Sequence, residues 1–146
     1  MRQEFTITLF SEKQEGLINK VAFILTRRKT NINNFSVFFC KTVNLYRFTI
    51  TFIETELAVQ NIVHQMEKII EVFKCYLQTE AELSTHQILL LKLPNSDETK
   101  KQVTSIINAF PIIQETDYCV YTCKTHKETI QQLDPKIAEI ELTNSF

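Results

Sequence analysis

The apolar spacing of this chain changes period in the same order twice, and few architectures accommodate that order. Residues 3–10 alternate, with Phe5, Ile7 and Leu9 on one face and Thr6 and Thr8 on the other, which marks a half-buried strand. From Gly16 the spacing lengthens to Leu17, Val21, Ile24 and Leu25, and a helix is expected over about residues 16–28. Asn33-Asn34 and Asn44 bracket a second extended run, Phe35 to Lys41. Tyr46, Phe48, Ile50 and Phe52 then alternate with Arg47, Thr49 and Thr51, so the two runs read as a hairpin. Helical spacing returns after Glu56 in Ile62, Val63, Met66, Ile69 and Ile70, and Val72 to Gln78 is again rich in strand formers. The first half therefore reads βαββαβ.

After an acidic, polar break at Thr79 to Thr85 the cycle restarts. Gln87 to Leu93 is a strand closed by Pro94, and Asn95 or Ser96 can cap a helix carrying Val103, Ile106, Ile107 and Phe110, which Pro111 ends. Ile112-Ile113 and Tyr118 to Cys123 form the next two strands. Thr125-His-Lys-Glu128 has the spacing of a capping box for a short helix that stops at Asp134-Pro135, before a final strand from Ile137 to Leu142. Two βαββαβ units of roughly 70 residues each imply α+β architecture, with two ferredoxin-like sandwiches in tandem. The expected domains are 1–80 and 85–146. A sandwich of this kind covers one sheet face with its helices. Phe38 and Phe39 are adjacent on one strand, so at least one of them falls outside that core, and self-association is the economical way to bury it.

Composition narrows the function. The chain has 146 residues, of which 44% are hydrophobic and 23% charged, enough for one core or two small ones without disulfides. Cys40, Cys75, Cys119 and Cys123 fall at strand positions, and no apolar leader or membrane-length segment accompanies them, so free thiols in a cytoplasmic protein are expected. Sixteen basic against seventeen acidic residues leave a net charge of -1, which argues against a phosphate backbone or an anionic membrane as partner. RNA-binding folds share the βαββαβ order, and Tyr46-Arg-Phe-Thr-Ile-Thr-Phe52 faintly evokes their base-stacking strand, but the glycines of that strand and a basic excess are both missing. Cys119, Cys123 and His126 could suggest a metal, yet two cysteines four apart on a strand read better as core thiols. No metal and no catalytic group is expected. His64 falls on a helix and His86 at a strand start, with no nucleophile placed beside either.

Gly16, the only glycine, sits at the first strand-to-helix corner. Such a corner fits a plain tight turn, and it equally fits a helix start whose amides receive an anion such as a carboxylate. Around it, Phe5-Thr-Ile-Thr-Leu-Phe-Ser-Glu-Lys-Gln-Glu-Gly16-Leu, then Val21-Ala-Phe-Ile-Leu-Thr-Arg-Arg28, then Asn31-Ile-Asn-Asn-Phe-Ser-Val37 resembles the N-terminal ACT domain of the regulatory (small) subunits of acetolactate synthase. Val63 to Val72 with Phe73 and Lys74 is similar to that family's second helix and fourth strand, and Gln87 to Leu93 to the start of its C-terminal domain. The resemblance covers residues 3–93 closely and the remainder mainly in element order.

What the resemblance implies is a non-catalytic regulatory subunit for branched-chain amino acid biosynthesis. It would bind the large subunit, which carries thiamine diphosphate, Mg2+ and FAD, raise its activity, and make it sensitive to valine or a related amino acid. The effector would lie between ACT domains of a homodimer or higher oligomer. Carried over by position, Lys13, Gln14, Glu15, Gly16 and Leu17 of one copy would meet Asn31 and Ile32 of the other, with Ser36 nearby. Two positions depart from the family pattern: Lys13 replaces the usual asparagine and Lys29 the usual glycine. An ACT-type sensor for another amino acid or another enzyme is the alternative.

Overall fold

The first strand, β1 (Arg2–Glu12), hydrogen-bonds on both sides, which its alternating pattern of β-branched and aromatic residues suits. A computed structural model of the protein describes residues 1–98, 101 and 109–126, together with the backbone of 139–142. After β1 come α1 (Leu17–Arg27), β2 (Asn31–Cys40), β3 (Leu45–Thr55), α2 (Glu56–Glu67) and β4 (Val72–Thr79). Their antiparallel sheet has the order β2-β3-β1-β4. Phe5, Ile7 and Leu9 of β1 pair with Phe52, Ile50 and Phe48 of β3, so one sheet face is continuously apolar. Leu17, Val21 and Leu25 of α1 and Val59, Ile62 and Met66 of α2 close over that face to form a dry core. Thr55 caps α2 by accepting the amide of Ala58 at 3.2 Å.

The chain divides into two compact units at Ala81/Glu82. Between β4 and the next strand lies α3 (Glu80–Thr85); the second unit contains β5 (His86–Pro94), β6 (Phe110–Gln114), β7 (Tyr118–His126) and β8 (Glu139–Leu142). Their order, β6-β7-β5-β8, repeats that of the first sheet. Leu89, Leu91 and Leu93 of β5 pack with Cys119, Tyr121 and Cys123 of β7 as a second core. The α+β class and the tandem ferredoxin-like sheets are therefore as the sequence predicts.

Several local expectations are corrected. The break at 79–85 is a helical turn, because Glu80-Ala-Glu-Leu contains no residue that resists helix. Helix α2 ends at Glu67, which leaves Ile69 packed on the core but Ile70, beyond the helical period, 96% exposed. Phe110 does not end a helix and Pro111 does not stop one. Both lie in β6, where Pro111 is tolerated because β6 is an edge strand with a register shift between Pro111 and Ile113. Helical residues begin at Asp97, directly after Ser96, one of the two caps expected; Asn95 Nδ2 donates to the Glu115 carbonyl at 2.9 Å and ties the β6–β7 turn. Thr125 and His126 are the last residues of β7, paired with Gln87 and His86, and the Glu128 of the expected capping box lies outside the described residues. The helices expected on Val103, Ile106 and Ile107 and after Thr125 fall on residues outside those described. β2 begins at Asn31, four residues before the Phe35 at which its run was expected.

Candidate functional site

The loop from β1 to α1 turns at Gly16, which takes φ +84, the left-handed region that L side chains avoid. A Cβ added there would meet nothing within 4 Å, so this glycine serves backbone conformation and not close packing within the chain. Helix α1 then starts with no side-chain cap and no acidic residue in its first turn. The Leu17 amide bonds weakly back to the Gln14 carbonyl at 3.4 Å and the Lys20 amide to the Gly16 carbonyl at 3.1 Å. The amides of Ile18 and Asn19, between them, have no acceptor among the described residues. These are the donors that a helix start presents to an anion, where the macrodipole favours negative charge.

Lys13, Gln14, Glu15 and Gly16 are exposed, whereas the Leu17 side chain is buried in the core and leaves only its backbone near the loop. Lys13 Nζ sits 4.3 Å from the centre of the Phe39 ring, a cation held over an aromatic face at the end of β2. Phe39 in turn meets Tyr46 edge-on, Tyr46 meets Phe48, and Phe48 meets Phe35, with ring centres 6.1 to 6.2 Å apart. On the other side of the loop the Glu12 amide donates to the Glu71 carbonyl at 2.9 Å, and Lys20 Nζ pairs with Glu71 Oε1 at 2.9 Å. That hydrogen bond from Lys20, with a smaller backbone contribution, holds the Glu71 carboxyl below its ordinary value. Sequence spacing puts Lys20 in the first turn after the loop, but not Phe39 of β2 or Glu71 of the turn before β4, which reach it only in the folded chain; Phe39 drew notice as one of an adjacent pair.

The second group of predicted residues lies elsewhere. Asn31 is exposed and pairs with Ile53, which pairs with Glu4. Ile32 packs on the helix-covered core. Ser36 sits midway along β2 opposite Thr49 and donates to Asn34 Oδ1 at 3.3 Å. The loop follows Glu12, which pairs with Leu45, as does Cys40 at the far end of β2. Asn31 and the loop are thus at opposite ends of the sheet, eight strand residues apart, or about 27 Å at about 3.4 Å per residue. Within one chain the structure does not bring the two groups together.

Lys29 explains itself in the structure. It adopts φ 55 just past the C-terminus of α1, with its amide on the Thr26 carbonyl at 3.0 Å and the Thr30 amide on the Leu25 carbonyl at 3.1 Å. This is the Schellman arrangement, and the position is one that glycine favours. Phe38, on the face away from the helices, is 49% exposed with the Arg47 guanidinium 5.0 Å from its ring centre. The four cysteines are free and buried. Among the described residues no helix is long and apolar enough to cross a membrane.

Fold and loop together define the class: two tandem ferredoxin-like units, the first with an uncapped helix start after a left-handed glycine. Comparison with known proteins makes the resemblance particular. The chain is similar to the acetolactate synthase small subunit of Bacillus subtilis, 27% identical over 105 residues, and to the chloroplastic acetolactate synthase small subunit 2 of Arabidopsis thaliana, also 27% over 105 residues. Those matches take in 71–72% of this chain, which spans 61% of the bacterial protein and 22% of the chloroplast protein. Among solved structures it is similar to the acetolactate synthase small subunit of Thermotoga maritima, with a TM-score of 0.51 and 20% identity, covering 97% of this chain and 93% of that one. That likeness is one of fold. No family model matches the chain.

Proposed function

We propose that this chain is a regulatory subunit of an acetolactate synthase. It binds a catalytic large subunit that carries thiamine diphosphate, Mg2+ and FAD, raises that subunit's activity, and confers feedback by valine or a related amino acid. The observation that carries the reading is the distance between the two halves of the candidate site. β2 is an edge strand, and a second copy paired antiparallel along it would bring the Asn31 end of one β2 beside the Cys40 end of the other, next to the Lys13–Leu17 loop. The same pairing would shelter the partly exposed Phe38. The similarity to proteins named as acetolactate synthase small subunits supports the choice of enzyme.

In this reading the effector carboxylate takes the Ile18 and Asn19 amides, and Asn31 of the other copy hydrogen-bonds the effector. A helix start contributes up to about 2 kcal/mol toward a partly buried anion, and burying a valine side chain adds about 1.5 to 3 kcal/mol. After the loss of association entropy, binding falls in the micromolar to millimolar range that suits a feedback sensor. The test is the mass of the purified chain in solution together with calorimetric titration with valine, leucine and isoleucine. A dimer or larger species with saturable binding, lost in Asn31→Ala and in Gly16→Asp, is the expected result. A folded monomer, or binding indifferent to both substitutions, refutes the shared site.

A further inference from the structure

The chain between Glu12 and Leu17 is held by few bonds of its own. Among the described residues the amides of Lys13, Gln14 and Glu15 donate to no main-chain carbonyl, and the loop returns to α1 through the weak 3.4 Å bond of the Leu17 amide to Gln14. A side chain supplies what the backbone does not. β3 lies between β1 and β2, so the contact of Lys13 Nζ with the Phe39 ring, 4.3 Å from its centre, links the end of β1 to the end of β2 across an intervening strand, a span of about 9–10 Å. Glu12 and Glu15 flank Lys13 in the sequence, yet among the described residues neither carboxylate forms an ion pair with it. The ammonium lies instead over the ring face, the negative side of the aromatic quadrupole. Phe39 is itself fixed, edge-on against Tyr46, which meets the buried Phe48 in the same way. The anchor is therefore continuous with the core of the first unit.

We propose that Lys13 is a positioning residue for the effector: seated on Phe39, it holds the β1–α1 loop in the conformation from which α1 starts with the Ile18 and Asn19 amides unbonded, and it ties that loop to β2, the strand along which the second copy pairs. This rests on the effector site proposed above. A loop without the tether samples other arrangements, and the apparent affinity falls in proportion to the competent fraction that is lost. A cation over an aromatic face at an exposed site shifts such an equilibrium about two- to fivefold. A lysine that met the effector carboxylate directly would have to leave the ring, so removing the ring would free it for binding. The two roles are opposite in sign for one substitution: Phe39→Leu weakens binding if Lys13 positions the loop, and spares or tightens it if Lys13 is a direct ligand.

Two readouts on the full chain separate the contact from its consequence. In NMR spectra the ε-methylene protons of Lys13 should be displaced upfield by the ring, remain so in Phe39→Tyr, and return to the ordinary lysine position in Phe39→Leu. Calorimetric titration with valine, leucine and isoleucine is run at a concentration where parent and variants have the same mass in solution. Lys13→Met and Phe39→Leu should each bind about two- to fivefold more weakly, and the double variant no more weakly than the worse single one. Lys13→Arg and Phe39→Tyr should recover the parent affinity, and Lys68→Met, which removes an exposed charge elsewhere, should leave it unchanged. Far-UV circular dichroism checks that each variant is folded; if Phe39→Leu is not, Lys13→Met and its rescue by Lys13→Arg carry the test. Undisplaced Lys13 protons in the parent, unchanged affinity in Lys13→Met, or a folded Phe39→Leu chain that binds as tightly as the parent overturns the positioning role and leaves the effector site standing. A parent chain that binds none of the three amino acids overturns the site, and the positioning role with it.

Discussion

Replacing Gly16 by alanine isolates one physical effect. Nothing lies within 4 Å of the added methyl group, so no clash contributes, and the whole change comes from holding an L residue at φ +84. Left-handed backbone costs a non-glycine residue about 1 to 2 kcal/mol, and the stiffer unfolded chain returns about 0.4 to 1 kcal/mol. The net is a loss of about 1 kcal/mol. For a unit the size of residues 1–81 that lowers the melting temperature by about 4–8 °C. Asparagine tolerates this region better than alanine, so Gly16→Asn should fall between the parent and Gly16→Ala. Urea unfolding monitored by tyrosine fluorescence and circular dichroism reads all three. If Gly16→Ala is as stable as the parent, or if asparagine is no better than alanine, then the left-handed corner is not what the glycine serves and the close approach of a ligand or a second chain becomes its reason.

The mirror-image change, Lys29→Gly, should stabilise the first unit by about 0.5 to 1 kcal/mol, since φ 55 and both Schellman bonds are kept while the Cβ is removed; a thermal melt that does not rise would count against it. Lowering of the Glu71 carboxyl by Lys20 means that its contribution to stability is present above the ordinary value near 4.5 and is lost as pH falls through the lower folded value. Lys20→Met should therefore flatten the acid side of the stability curve, and an unaltered curve below pH 4.5 would contradict the pairing. Burial raises the Cys123 thiol from 9.0 to about 11, so its stabilising contribution is complete below pH 9.0 and fades as pH climbs through 11. Cys123→Ala, compared with the parent by urea unfolding across that range, should show a fall smaller by on the order of 2 kcal/mol, with the part due to the buried Cys75 thiol retained. Buried thiols should also resist a thiol reagent at neutral pH until urea is added, and rapid modification of the native chain would show the second core to be open.

Periodicity alone was enough to place the first-unit elements. The two-residue alternation of Phe5, Ile7 and Leu9 and the helical spacing of Leu17, Val21 and Leu25 are local consequences of backbone geometry, and all six side chains are buried together. Boundaries set by local signals with competing readings fared worse. Pro111 signals a stop in any sequence, yet an edge strand accommodates it, and whether a strand is at an edge depends on pairings formed far along the chain.

The candidate site divides in the same way. Gly16 and the Lys13–Leu17 loop were legible because a lone glycine between a strand and a helix has few roles, and Lys29 stood out as a lysine at a glycine position. Register, by contrast, is decided by which faces bury together and is not written in any short segment. Tertiary structure alone set Asn31 eight strand residues from the loop, laid Lys13 over Phe39, joined Lys20 to Glu71 and brought His86 opposite His126. Spacing in the chain determines which residues share a face of one element, whereas only the packing of whole sheets and helices determines which elements put their ends side by side.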